Sequence, residues 1–138
     1  MAEGDQLIRP EQVSPEMLKQ LFVDAFMDAT IDKDGDVLLV ETYRSYVVPG
    51  NENRWVRVYA VFGANQEALL EDKMDFVNRV NAELVIVRAY LDTTGRFILE
   101  RYIPAEGGIT ERALVLAVRR FHRLLEAAIR KDEKNVIS

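Results

Sequence analysis

The sequence predicts an α+β fold in which three helices pack on one face of an antiparallel five-stranded sheet. Three observations support this prediction. Residues 83–103 have the turn chemistry, alternation and charge pairing of a β-hairpin. Three other segments carry apolar residues at the spacing of amphipathic helices. The strand connections are short enough for hairpins, so neighbouring strands should be antiparallel. The expected order of elements is α-β-β-β-α-β-β-α.

The hairpin is the best-defined element. Asp92–Gly95 is a polar turn sequence, and its Gly suits the left-handed position of a three-residue loop with a bulge. This register places Arg88 opposite Glu100 on the solvent side, where an ion pair contributes less than about 1 kcal/mol. The other predicted pairs are Leu91–Phe97, Tyr90–Ile98, Ala89–Leu99, Val87–Arg101, Ile86–Tyr102 and Val85–Ile103.

Capping residues set the helix starts. Ser14 followed by Pro and Glu is a helix N-terminus, while Asn65 and Thr110 are candidate caps for two later helices. The predicted helices are residues 15–28, 66–82 and 111–130.

Three strands precede the hairpin, and they are predicted at residues 29–32, 37–46 and 54–62. The Asp34-Gly35 dipeptide between the first two is a hairpin signal. Alternation is clean in residues 54–62 and irregular in 37–46, so the inner face of the latter strand is not assigned. Residues 48–53 contain Pro49-Gly50 and are predicted to form a loop.

Composition limits the functional classes. The 138 residues suit one domain, 1–138, with an ordered core from about 13 to 130 and loose termini. The formal net charge of −5 disfavours nucleic-acid binding, which needs a basic surface. The absence of Cys excludes disulfides and thiol catalysis. Without a signal-peptide pattern or a long apolar run, we expect a cytoplasmic protein with no membrane partner.

No residue pattern predicts a catalytic, cofactor or metal site. Asp32–Asp36 resembles the start of a calcium loop, but Val37 and Tyr43 occupy the positions that require Gly and Glu. A charged hairpin turn is therefore the preferred interpretation. His122 is the only histidine and has no nucleophile at helical spacing, so a hydrogen-bonded or solvated role is favoured. The arginines of the third helix alternate with glutamates, which is typical of a solvated face. We expect that the protein is not an enzyme.

The outer face of the sheet carries the residue types that are enriched in binding hot spots. The predicted partner-binding residues are Trp55, Arg57, Tyr59, Arg88 and Tyr90, with Tyr102 at the margin. Ordinary cross-strand stabilisation of an exposed sheet is an equally weighted explanation.

The second helix has an apolar stripe that is broader than one sheet contact needs. Its residues are Leu69, Leu70, Met74, Phe76, Val77 and Val80. We expect this stripe to form the contact of a homodimer.

Several local sequences from Val13 to Arg130 carry a family resemblance. They are the Ser14–Leu21 helix opening, the Asp32–Val40 hairpin, the Phe76–Asn81 helix end, Ala89–Asp92 before Gly95, and Ile109–Glu111. With the element order, they make the chain similar to the YbjN family of bacterial sensory transduction regulators, within the type III secretion chaperone-like folds. The resemblance implies that fold, a dimer and a non-enzymatic role, with no catalytic residues to transfer.

The sequence thus predicts a regulator or chaperone-like adaptor that binds a protein or peptide. The alternative is a small-ligand sensor or an enzyme with a pocket between the sheet and the helices. A flat aromatic patch would favour the binder, whereas a deep pocket with converging polar groups would favour the alternative.

Overall fold

The computed structural model describes residues 6–138. A short 3-10 turn at Pro10–Gln12 precedes the first helix. The elements in that range are β1 (Leu7–Ile8), α1 (Pro15–Asp24), β2 (Ala29–Ile31), β3 (Val37–Val40), β4 (Arg44–Gly50), β5 (Trp55–Phe62), α2 (Leu70–Glu83), β6 (Arg88–Leu91), β7 (Phe97–Pro104), β8 (Ile109–Thr110) and α3 (Glu111–Ile129).

Strands β2 to β7 form one antiparallel sheet in the order β2-β3-β4-β5-β7-β6. Helix α1 packs on β2, α2 on β6 and α3 on β7, so all three helices lie on the same face. Between them lies the core, in which Leu39, Val58 and Leu99 from the strands meet Phe22 and Phe121 from the helices. The predicted α+β class and the placement of the helices are confirmed.

The hairpin register is confirmed from Arg88 to Leu91, where the four pairs with β7 are the predicted ones. The outer three predicted pairs do not form. Ile86 has a positive φ of 58° and Val85 is exposed. Residues 85–87 therefore lie outside the sheet, and pairing with β7 begins only at Arg88. An isoleucine in this backbone region is unfavourable, and nothing in the sequence signals it.

The main sheet has six strands rather than five because the predicted strand 37–46 is interrupted. A tight turn bends the chain between β3 and β4, with the Glu41 amide donating to the Tyr43 carbonyl at 3.2 Å. This break explains the irregular alternation of the segment. Strand β4 then continues through Pro49 to Gly50, so the loop predicted at 48–53 is wrong in its first half. Pro49 is tolerated because β3 pairs with β4 only as far as Val47.

The predicted N-caps hold for two helices. Ser14 and Thr110 each accept a hydrogen bond from the amide three residues on, both at 3.1 Å. Asn65 instead caps a turn, where it accepts from Glu67, and α2 starts four residues later than predicted. Helix α1 ends at Asp24, earlier than predicted, because the residues after it form a left-handed cap.

The two hairpin turns are built alike. Asp32 and Asp92 each accept the amides of the residues two and four positions on, and Gly35 and Gly95 occupy the left-handed position with φ near 85°. At Asp92, the Arg96 amide and the Thr94 hydroxyl, helped by the Thr94 amide and the Arg96 guanidinium, lower the pKa from 3.8 to about 2.

Residues near both ends of the described range are buried. Ile8 and Val13 are buried near the N-terminus, and the Asn53 side chain donates to the Pro10 and Val13 carbonyls. Val136 is fully buried, and Ile137 makes a bridge with the segment after β5. Residues 6–13 and 131–138 thus contribute buried side chains, whereas the looseness of the termini stays a prediction. Met1–Asp5 lie outside the described residues.

Candidate functional site

The six predicted partner-binding residues lie on one side of the sheet, opposite the helices. Strand β5 supplies Trp55, Arg57 and Tyr59, and it pairs directly with β7, which carries Tyr102. Strand β6 adds Arg88 and Tyr90 beyond β7. We call these six residues the outer face. The strands share one sheet with the same side outward, as the prediction required, whereas binding to a partner stays a prediction.

Glu100 is the centre of the outer face. Its side chain is 1% exposed and lies between two guanidinium groups. Arg57 Nε donates to Glu100 Oε2 at 2.5 Å, and Arg88 Nε lies 3.2 Å from Oε1. Burial works against the charge of Arg57, but the bond to Glu100 outweighs it and the pKa of Arg57 is raised. The carboxylate therefore holds both arginines over the centre of the sheet.

The predicted Arg88–Glu100 pair is present, but it is not an isolated surface pair. Glu100 is buried because β5 and β6 flank it and their side chains cover it. Its Oε1 accepts no hydrogen bond from any residue in the range 6–138. The Arg88 guanidinium lies 3.2 Å from this oxygen, so the ion pair compensates its charge without a well-aligned hydrogen bond.

Aromatic rings fix the two arginines from either side. The Arg57 guanidinium lies 4.1 Å from the Tyr59 ring centroid and also donates to the Tyr90 hydroxyl at 3.3 Å. The Arg88 guanidinium lies 5.0 Å from the Tyr90 ring centroid. Cation–π contacts of this kind contribute about 0.5–1 kcal/mol at exposed sites. The arginines are therefore held in place before any partner arrives.

Trp55 forms the other end of the outer face. Its indole meets the Tyr102 ring edge-to-face with centroids 5.6 Å apart. Gly50 lies opposite Trp55 across the β4–β5 pair, and a Cβ there would stand 2.6 Å from the indole nitrogen. Because Gly50 has no side chain, the indole can lie across its backbone. The indole is half-exposed in this position.

The structure adds residues that the sequence did not assign to this surface. Tyr46 of β4 stacks on Tyr59 with centroids 5.3 Å apart, and both rings line a groove of about 480 Å³. Asp36 lies on the same groove, and burial together with Asp32 and Asp34 raises its pKa. Tyr46 was missed because the irregular alternation of residues 37–46 left its face undecided. The central role of Glu100 was missed because the β5–β7 pairing is not visible locally.

The apolar stripe of α2 divides into two groups. Phe76, Val77 and Val80 are buried in the core of a single copy, where Phe76 packs edge-to-face on Phe97. Because these three side chains are buried within one copy, they have no exposed surface for the dimer contact that the sequence predicts. Leu69, Leu70 and Met74 are exposed, and they are what remains of the predicted dimer surface. Leu69 precedes α2, whereas Leu70 and Met74 lie on the exposed side of the helix.

His122 is hydrogen-bonded to Ser45, with Nε2 and Oγ 2.8 Å apart. Burial lowers the pKa of His122, although Glu41 and Glu126 act in the opposite direction. The pair resembles a nucleophile and its base only in residue type, because Ser45 is fully buried and no substrate carbonyl can reach its oxygen. The bond satisfies a buried hydroxyl, as the hydrogen-bonded interpretation expected, but with Ser45 rather than Glu126.

The part of the chain that the structure describes contains neither a metal-binding cluster nor a membrane-spanning helix. In residues 6–138 no group of three or more His, Asp or Glu side chains is arranged to hold a metal ion. No helix in the same range is long and apolar enough to cross a membrane. Arg101 lies opposite the core residue Val58, and it donates to the Ala117 carbonyl of α3.

Comparison with known proteins identifies related sequences and folds. Residues 14–133 match the model of the YbjN family, described as "Putative bacterial sensory transduction regulator". The crystal structure of YbjN from E. coli, a putative transcription regulator, is similar with a TM-score of 0.76 and 15% identity, covering 89% of this chain and 94% of that one. No curated protein matches the sequence.

Two chaperone structures share the fold. The HopA1–SchA chaperone–effector complex gives a TM-score of 0.58 at 13% identity, covering 86% of this chain and 91% of that one. The Yersinia pestis type III secretion chaperone SycH, in complex with a fragment of YscM2, gives 0.52 at 13% identity, covering 84% and 97%. At these identities the likeness shows the fold alone.

Proposed function

Because this chain belongs to the YbjN family, we propose that it is a non-enzymatic regulator or chaperone-like adaptor that acts by binding another protein. The observation that carries the proposal is the outer face, where Trp, Tyr and Arg side chains stand together opposite the helices. These residue types dominate binding energy at protein interfaces. The proposal includes the cytoplasmic location that the sequence predicts.

The outer face suits a peptide segment or partner helix because its side chains are already ordered. Ring contacts and the Glu100 carboxylate hold Arg57, so little of its side-chain entropy remains to be lost on binding. The Arg88 side chain is 69% exposed and can reach a partner carboxylate or ring. Tyr102, 47% exposed, offers apolar area beside it.

Known complexes of this fold support the class of partner. Two of the similar structures are chaperones, one in complex with an effector and the other with a protein fragment. Proteins of this fold are therefore found in complexes with other proteins. For the present chain, the proposed binding surface is the outer face, whichever surface is used in those complexes.

The test compares a double variant with a matched control. Trp55→Ala/Tyr59→Ala removes two rings of the outer face, and Leu116→Ala removes an exposed side chain of α3 on the other side of the molecule. Each protein is used as bait in a native lysate, with circular dichroism to check folding and mass spectrometry to identify partners. We expect the double variant to stay folded and to lose partners that the control retains. If both retain every partner, the outer face is structural only.

A small-ligand sensor is the second candidate, favoured by a cavity of about 370 Å³ between α3 and the β3–β4 turn. A sensor should show a shift in melting temperature with one ligand from a metabolite panel, and the shift should disappear when the cavity is filled by Thr42→Trp. An enzyme in this cavity is disfavoured because Ser45 is buried away from solvent.

Self-association is also part of the proposal. Leu69, Leu70 and Met74 form the exposed part of α2 that a second copy could cover. Light scattering at micromolar concentration should give twice 15.8 kDa. A monomer mass would remove the dimer from the proposal without affecting the outer face.

A further inference from the structure

Strand β7 is longer than the strand that pairs with it on one side. It runs from Phe97 to Pro104, whereas β6 covers it only as far as Glu100. On the other side, β5 pairs with β7 along its whole length. Residues 101–104 of β7 therefore form an open edge of the sheet, and an open edge can accept an added strand.

The backbone groups of Tyr102 point into this open edge. In an antiparallel sheet, the amide and carbonyl groups of successive residues point alternately to the two neighbouring strands. The Ala105 amide donates to the Arg54 carbonyl, so the odd-numbered residues of β7 face β5. The Asp92 amide donates to the Arg96 carbonyl, so the even-numbered residues face β6. Within residues 6–138, the amide and carbonyl of Tyr102 have no hydrogen-bond partner.

The missing partner is Ile86, which the sequence predicts opposite Tyr102. Its φ of 58° turns the chain away from β7 instead, although an isoleucine is strained in this region. Its side chain is 47% exposed, so burial within the chain does not offset that strain. Strained residues cluster at sites where proteins bind other molecules. The kink at Ile86 keeps open a position that the chain could have filled itself.

A groove with apolar walls lies beside this open position, with a volume of about 530 Å³. The segment that joins α2 to β6 contributes Leu84, Ile86 and Val87 to its lining, and β7 contributes Tyr102 and Pro104. Backbone groups without a partner and apolar surface therefore occur together. An added strand needs both, because its backbone pairs with the edge while its side chains enter pockets beside it.

The adjoining part of the same edge is already closed. The Asn81 side chain bonds to both the amide and the carbonyl of Ala89, which are the outward groups of β6. A strand cannot add alongside β6 at this point, whereas it can add in line with β6. Arg88, the first residue of β6, borders the opening, and its side chain is 69% exposed. A carboxylate on the outer side of an added strand would lie beside this guanidinium.

We propose that an extended segment of the partner protein adds to β7 in line with β6, with its backbone paired to Tyr102 and an acidic side chain beside Arg88. The inference rests on the proposed function, because Arg88 and Tyr102 belong to the outer face. A partner helix does not fit this position, since its amides and carbonyls bond within the helix. Alternate residues of the added strand point to the groove and to the outer face, so the expected pattern is apolar–acidic–apolar.

The first test follows solvent exchange of backbone amides by NMR in the wild-type protein. The probe is the peptide acetyl-Val-Glu-Val-Thr-amide. Its control carries an N-methylated glutamate, which lacks the amide that donates to the Tyr102 carbonyl. Without peptide, the Tyr102 amide should exchange at least about 100-fold faster than the Ile103 amide, which faces β5. With a dissociation constant of about 1 mM, the probe at about 5 mM should slow exchange at Tyr102 about sixfold, and the control should not.

The second test removes the amide donor from the protein. Tyr102→Pro removes the ring and the N–H, whereas the matched Tyr102→Ala removes the ring alone. Proline is compatible with this position because the N–H does not pair with β5, and circular dichroism checks the fold. We expect Tyr102→Pro to bind the probe at least about tenfold more weakly than Tyr102→Ala. Arg88→Met should weaken binding of the probe and leave binding of its Gln counterpart unchanged.

The proposal is overturned if the Tyr102 amide is already protected in the free protein. Such protection means that the chain's own segment fills the edge or, where it falls on dilution, that a second copy does. It is also overturned if the probe and its methylated control protect Tyr102 equally, or if the Pro and Ala variants bind the probe equally. The pull-down separates this result from the proposed function. If Trp55→Ala/Tyr59→Ala loses partners that Tyr102→Pro retains, the outer face stands and the added strand does not.

Discussion

The buried carboxylate of Glu100 is predicted to couple much more strongly to Arg57 than to Arg88. The perturbation is a pair of double-mutant cycles, built from Glu100→Gln with Arg57→Met and Glu100→Gln with Arg88→Met. Met keeps the unbranched apolar stem of each arginine and removes its charge. Gln keeps the shape of Glu100, so each cycle reports the charged interaction and little of the packing.

The magnitudes follow from distance and exposure. Arg57 Nε donates to Glu100 at 2.5 Å, and its side chain is 26% exposed. A hydrogen bond between charged groups contributes about 1.5–3 kcal/mol, which solvent at Arg57 reduces to about 1.5–2 kcal/mol. Arg88 is 69% exposed and lies 3.2 Å from an oxygen that accepts no hydrogen bond from it. Its coupling should stay under about 1 kcal/mol.

The assay is urea denaturation followed by circular dichroism. With an m-value of about 1.5–2 kcal/mol/M, a coupling of about 2 kcal/mol corresponds to about 1 M in the transition midpoint, which is readily measured. If the two coupling energies are equal, or if that of Arg88 is larger, the inference that Arg57 is the stronger partner of the Glu100 carboxylate is refuted.

Three further changes test other parts of the fold. Gly50→Ala should push the Trp55 indole off the β4 backbone, with a loss of about 1–2 kcal/mol and a change in tryptophan emission, because the new Cβ would stand 2.6 Å from the indole nitrogen. Asp92→Asn should lower stability at neutral pH. Because folding lowers the pKa of Asp92 from 3.8 to about 2, wild type should keep its advantage above about pH 4 and lose it as pH falls towards 2; a difference that grows with acid would contradict this. Asn81→Ala should cost about 1–3 kcal/mol and speed hydrogen exchange at Ala89, since two hydrogen bonds to that residue's backbone are lost.

The sequence was sufficient where the determining interactions are local. The turn at Asp92–Gly95 sets the β6–β7 register, because the Asp side chain and the left-handed Gly act within five residues. Ser14 and Thr110 fix helix starts by bonds across three residues. Clean alternation in β5 assigned its two faces. These features need no knowledge of the rest of the chain.

The features that the sequence did not reveal depend on distant partners. Glu100 is buried only because β5 lies beside β7, a pairing of segments about forty residues apart that no local pattern specifies. The bond between Ser45 and His122 joins residues 77 positions apart. Val136 is buried by contacts at the far end of β5. Such contacts are set by packing of whole elements, which propensity and periodicity do not encode.

Asn81 has a consequence for the behaviour of the protein at high concentration. Strand β6 is the last strand of the sheet, and the backbone groups of an edge strand can template the addition of strands from other molecules. The Asn81 side chain donates to the Ala89 carbonyl at 3.0 Å and accepts from the Ala89 amide at 2.8 Å. The Asn81 amide, which belongs to α2, therefore makes the two backbone hydrogen bonds that a neighbouring strand would make to Ala89. Asn81 thus occupies the backbone groups of Ala89 that an added strand would need, which disfavours growth of the sheet at this point of the edge.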